Sequence, residues 1–124
     1  MARIADYLVI ADSKHHLRKD DQRPPHAEEF QFTLESGAHL SSRAILAFVL
    51  KVESNTADLR FEVAVNEIDQ VNYTFSEFRS SSTLHEVIDQ NVLQAGENSI
   101  KFRIEGGTGG VRFSDVVLFY QRDV

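Results

Sequence analysis

Apolar and polar residues alternate with a period of two over four separate stretches of the chain. Phe30, Phe32 and Leu34 alternate with Gln31 and Thr33, and Leu59, Phe61, Val63 and Val65 alternate with Arg60, Glu62 and Ala64. Val71, Tyr73 and Phe75 interleave with Asn72, Thr74 and Ser76, and Ile100, Phe102 and Ile104 interleave with Ser99, Lys101 and Arg103. Successive side chains of a strand point to opposite faces, so each stretch reads as a half-buried antiparallel strand with one apolar face. The segment from Ala44 to Val52 is apolar almost throughout. Periodicity alone does not separate a central strand from a buried helix there, but its length and neighbours favour a strand. The first segment, Ile4 to Ala11, and the last, Val111 to Tyr120, are likewise rich in β-branched and aromatic residues.

One segment carries a contrary local signal. Thr83 with Glu86 three residues on fits a capping box, and Leu84, Val87 and Ile88 recur at helical spacing before Gly96. The run Gly106-Gly107-Thr108-Gly109-Gly110 readily supplies positive φ and reads as the turn of a hairpin between the last two strands. A phosphate-cradling loop would need a Gly-Lys-Ser/Thr ending and a following helix, which this run lacks. Counting strands at 3–11, 29–35, 44–52, 58–66, 70–78, 83–89, 98–105 and 111–121 gives about eight. Eight short strands with little helix predict an all-β fold, a two-sheet antiparallel β-sandwich of the jelly-roll kind.

Size and composition narrow the possibilities. At 124 residues, with 42% hydrophobic and 26% charged residues, the chain has the make-up of one soluble globular domain spanning 1–124. Cysteine is absent, which removes disulfides, thiolate catalysis and Cys-ligated zinc. A formal charge of -6 disfavours nucleic acid, because affinity for phosphate backbones depends on Lys and Arg. The cluster Lys14, Arg18, Lys19 and Arg23 is interrupted by Asp20 and Asp21 and reads as a solvated loop. The longest apolar run, Ala44 to Leu50, is too short to cross a bilayer, so no membrane partner is expected. The first residues show no secretory signal, which makes a cytoplasmic location the expectation.

Candidate chemistry is sparse. His26-Ala27-Glu28 has the His-x-Glu spacing of a two-His, one-carboxylate iron site, with His85 as a distant third ligand, but the substrate-binding elements of such enzymes are not found. Ser80, Ser81 and Ser82 precede His85 without a Gly-x-Ser-x-Gly elbow and read as a solvated connection. Asp115 interrupts an apolar strand and reads as a bulge or a structural hydrogen-bonding carboxylate before a calcium ligand. No catalytic set, metal site or cofactor is expected. The longest connection, Asp12 to Ala27, contains Pro24 and Pro25 and is a candidate contact surface.

The stretch from Phe61 to Tyr120 resembles the second half of the galactose-binding-like jelly rolls, β-sandwich modules often attached to glycoside hydrolases. The matching residues are Val65-Asn66, Ile88-Asp89 and the turn Leu93-Gln94-Ala95-Gly96-Glu97-Asn98-Ser99-Ile100. The resemblance implies that His85 to Asp89 is strand, followed by a short helical turn around Asn91 to Leu93. It also implies a non-catalytic binding module with a glycan as first ligand. Arg60, Glu62, Asn72, Tyr73 and Arg103 are the candidate ligand-binding residues. Tyr73 or Phe78 would stack on a sugar ring, since Trp is absent. The alternative is a structural or protein-interaction module forming a homo-oligomer through a sheet face or edge; a small metal-dependent enzyme is third.

Overall fold

The computed structural model describes residues 2–19 and 26–124. Among them run nine strands: β1 Arg3–Ala11, β2 His15–Lys19, β3 Ala27–Leu34, β4 Ala44–Val52, β5 Leu59–Val65, β6 Ile68–Phe75, β7 Arg79–Ile88, β8 Gly96–Glu105 and β9 Gly109–Asp123. A five-stranded sheet has the order β1-β9-β4-β7 with β2 also beside β9, and a four-stranded sheet has the order β3-β8-β5-β6. Every pairing is antiparallel. The two-sheet sandwich read from the sequence is the fold of the chain.

Aromatic residues from both sheets meet in the centre. Phe48 of β4 and Phe113 of β9 pack against Phe61 of β5 and Phe102 of β8, all four fully buried. The rings of Phe102 and Phe113 stack at 4.3 Å, and Phe48 meets Phe102 edge-on at 5.5 Å. Each such side chain stabilises by about 1.5–3 kcal/mol relative to exposure.

Four expectations need correction. The count is nine rather than eight because β2 forms inside the supposed loop from Asp12 to Ala27. Its charged sequence hides its anchors: Leu17 is fully buried, and His15 stacks on Phe113 at 5.2 Å and meets Phe30 edge-on at 4.9 Å. The remainder of that loop, 20–25, lies outside the described residues. Second, the glycine run does not close a hairpin, since β8 and β9 belong to different sheets. It carries the chain across the sandwich, and glycine is needed for close approach: a Cβ on Gly109 would lie 2.4 Å from Thr56. Third, Ser80 to Ser82 are not a connection but part of β7, which begins at Arg79; Thr83 and Glu86 lie in the same strand, as the strand counted at 83–89 expected, with pairing to β4 overriding the local helix signal. Fourth, Asn91 to Leu93 form a turn with Asn91 at φ 64°, not a helical one.

The residues that carried the resemblance act as a clasp. Asn66 Nδ2 donates to Asn98 Oδ1 at 2.9 Å and to the Val92 carbonyl at 2.8 Å. Asn66 Oδ1 accepts from the Ser99 amide, and Asn98 Oδ1 accepts from the Gln94 amide, both at 2.9 Å. Asn98 Nδ2 donates to the carbonyls of Gln94 and Gly96. Asn98 is almost wholly buried and well satisfied, so it holds the β5–β6 turn to the β7–β8 connection. Gly96 sits at φ 88°, which only glycine adopts without strain. Asp115, at φ 54°, stands where β9 shifts register against β4, so the bulge reading holds.

Candidate functional site

Antiparallel register brings the alternating polar residues onto one surface. Glu62 on β5 lies opposite Asn72 on β6 and Arg103 on β8; Arg60 lies opposite Thr74 and Glu105; Ala64 lies opposite Asp69 and Lys101. Arg60, Glu62, Asn72 and Arg103 therefore share the outer face of the four-stranded sheet, which periodicity alone left open.

Glu62 is the fixed point of this face. Only 5% exposed, it sits between two guanidinium groups. Arg103 Nε donates to Glu62 Oε2 at 3.0 Å, with a second, closer contact from the same guanidinium, and Arg60 approaches Oε1 at 3.7 Å. The hydrogen bond to Glu62 raises the Arg103 pKa, so the guanidinium stays charged. Arg60 also reaches Glu105 at 3.6 Å.

Beside this pair the face dips. Ala64 presents only a methyl where its neighbours carry long side chains, and an open depression of about 170 Å³ is lined by Glu62, Ala64, Glu67, Asp69, Lys101 and Arg103. A smaller hollow continues from it past Ala64 toward Glu29 and Ser99. The depression is below the range of drug-sized pockets and suits one small polar ring. One wall comes from the two-residue turn between β5 and β6, where Asn66 and Glu67 have φ 51° and 68°. A turn of this type favours Asn-Gly. The chain keeps Glu at the glycine position despite the cost of a left-handed side chain, and that carboxylate borders the depression.

Tyr73 is not part of this group. It lies opposite Phe61, on the inward side of β6, at the rim where the sheets meet. Its hydroxyl donates to Glu86 on β7, and that bond, with burial second, pushes its pKa up to about 12. Phe78 is exposed on the connection from β6 to β7. The histidines are dispersed as well. His15 and His16, both on β2, contact Glu28 and Glu53, and His85 stands on β7 in the same five-stranded sheet, two strands away across β9 and β4. Burial lowers the His16 pKa against the pull of Glu53. Among the described residues no three His, Asp or Glu gather as a metal site, and no helix is long and apolar enough to cross a membrane.

The fold and the face define a class, the β-sandwich jelly roll with a polar, shallowly indented sheet face. No protein-family model matches the sequence, and no curated protein matches it. Solved structures do. Part of dimeric latent PorU from Porphyromonas gingivalis is similar at TM-score 0.76 and 12% identity, over 99% of this chain and 13% of that one. The chain thus spans about an eighth of that protein. A xylan-binding module, CBM15, is similar at TM-score 0.57 and 11% identity, over 96% of this chain and 97% of the module. A family 35 carbohydrate-binding module from an environmental isolate is similar at TM-score 0.51 and 18% identity, covering 94% and 90%. At such identities the likeness is one of fold, and it agrees with the galactose-binding-like jelly roll that the sequence resembles.

Proposed function

We propose that this chain is a non-catalytic carbohydrate-binding module whose ligand rests in the depression at Ala64. The observation that carries the reading is Glu67 held in a left-handed turn at the border of that depression, because strain retained at one residue points to a use for its side chain. The chemistry is apt for hydroxyl groups, which both donate and accept. Carboxylates of Glu62, Glu67 and Asp69 alternate there with the cations of Lys101 and Arg103. The sandwich fold shared with modules described as xylan-binding or sugar-binding adds support.

Without an aromatic platform beside the depression, affinity is weak and rests on hydrogen bonds. Calorimetry with soluble oligosaccharides, after a glycan-array screen, tests this. Binding to at least one glycan, lost on Arg103→Gln or Glu67→Gly and with no hydrolysis of the bound sugar, is the expected result. Absence of any glycan ligand, or binding untouched by both substitutions, overturns it.

A further inference from the structure

The outer face of the five-stranded sheet has two unlike ends. At one, register aligns Tyr7 of β1, Phe119 of β9, Ile45 of β4 and Val87 of β7, with Val9, Val117, Ala47 and His85 as the adjoining row. These apolar rows carry no Asp, Glu, Lys or Arg, and Tyr7 and Phe119 are exposed on them. At the other end the face gathers cations. Lys51 of β4 lies directly opposite Arg112 of β9, and His16 of β2 lies on the far side of Arg112.

That pairing stands apart. Among the described residues, Asp, Glu, Lys and Arg face one another across a ladder in opposite-charge pairs at Arg3 with Asp123, Glu29 with Lys101, Arg60 with Glu105 and Glu62 with Arg103. Lys51 with Arg112 instead sets like against like. Like charges directly opposite each other destabilise a sheet, so the pair calls for an anion. Glu53 supplies only part of one, because it accepts from Arg112 Nε at 2.8 Å and is shared with His16. Lys51 has no ion-pair partner among the described residues. Beside the pair the face dips into a depression of about 230 Å³, lined by Lys51, Arg112, Lys14, Ser81, Ser114 and Val49. Val49 and Ser114 face each other on the same two strands and are short, which opens the hollow. Lys14, from the connection between β1 and β2, brings a third positive charge. No carboxylate lines the hollow, and Asp115 on the bulge is engaged by the Ser114 hydroxyl at 2.9 Å.

We propose that this hollow binds a single tetrahedral oxyanion, phosphate or sulfate, free or as a monoester on a small molecule. An oxyanion beside Lys51 and Arg112 replaces one repulsion with two attractions, and guanidinium and ammonium groups are the strong donors to such oxygens. The net charge of -6 turns away long polyanions, so the ligand carries one anionic group rather than a row of them. The hollow is below the range of drug-sized pockets, which fits one such group. It lies on the other sheet from the depression at Ala64, so its test does not depend on sugar binding.

NMR titration and thermal unfolding at constant ionic strength test the proposal, with inorganic phosphate, inorganic sulfate and methyl phosphate each compared against chloride. The expected result is saturable binding that moves the amides of Lys51, Ser81 and Arg112 and raises Tm beyond the effect of chloride. Lys51→Met weakens binding at least about fivefold. Arg43→Gln, at an exposed position outside the hollow, removes one positive charge without weakening it. Lys14→Gln gives a second reading should Lys51→Met fail to fold. Tighter binding of methyl phosphate than of either inorganic ion identifies a monoester as the ligand, and the reverse order identifies the free ion. Phosphate and sulfate that act no differently from chloride overturn the proposal. So does binding that a folded Lys51→Met variant retains in full, or that Arg43→Gln weakens as much.

Discussion

On the outer face of the four-stranded sheet, opposed positions on β5 and β8 carry Arg60 against Glu105 and Glu62 against Arg103. On that of the five-stranded sheet, opposed positions on β1 and β9 carry Tyr7 against Phe119 and Val9 against Val117. The geometry of the two faces is the same, but water treats them differently. The first pairs Arg60, Glu62, Arg103 and Glu105 with one another, to the point that Glu62 is nearly buried beneath its arginines, and keeps a small wettable hollow. The second leaves large rings in solvent with nothing polar to recommend them. A face that pairs its own charges can stay open to a small polar ligand, whereas the uncharged stretch at Tyr7, Val9, Val117 and Phe119 gains most from being covered.

That contrast can be tested in order of expected effect. Asn98→Ala removes the clasp under the β5–β6 turn, leaving the Gln94 amide without its acceptor and Asn66 Nδ2 with only the Val92 carbonyl; a loss of about 3 kcal/mol is expected in denaturant unfolding. Arg103→Ala leaves Glu62 with only the more distant Arg60. The expected cost is about 2 kcal/mol, reduced from that of a fully buried pair because the Arg103 side chain is 43% exposed. Removing Glu62 as well should recover part of it, and a double-mutant cycle with no coupling would mean that the charged face is not held by this pair.

Glu67→Gly is expected to act in the opposite direction. Relieving the left-handed side chain stabilises the fold by about 1 kcal/mol while sugar binding falls. A variant no more stable than wild type would show that the turn carries no strain. The smallest effect belongs to Tyr73, at the rim between the faces. Its folded pKa of about 12 lies above the ordinary 10, so the stabilisation from its bond to Glu86 is complete below pH 10 and is lost as pH rises toward 12. Ultraviolet titration should show one tyrosine ionising late, and Glu86→Gln should bring it back toward the others.

Much of the two-faced character is legible in the sequence. The four stretches with clean alternation, containing Phe32, Phe61, Tyr73 and Phe102, are the strands β3, β5, β6 and β8 of the four-stranded sheet. The stretches rich in apolar residues at both parities, 4–11, 44–52 and 111–120, became β1, β4 and β9, which have the core on one side and the exposed apolar rows on the other. Alternation also placed Tyr73 with Val71 and Phe75 on the inward side, at odds with grouping it beside Asn72 as a ligand residue. What local pattern does not encode is partner choice. The crossing at Gly106 to Gly110 depends on Thr56 and Ala57, half the chain away. The strand β2 depends on Phe30 and Phe113 accepting His15 between them. The depression at Ala64 exists only once Lys101 and Asp69 have been brought alongside.

β9 is the hub of the five-stranded sheet, paired with β1, β2 and β4. Its bond to β1 joins Arg3 to Asp123, so closing that ladder ties off almost the whole chain at once, whereas the four-stranded sheet draws only on residues 27–105. Loop entropy makes the larger closure the costlier one, and prior assembly of the smaller sheet shortens the loop that remains. The order of events in refolding follows: pulse-labelled hydrogen exchange should find the amides of β5 and β8 protected before those of β1 and β9, with the apolar rows brought together in the final step.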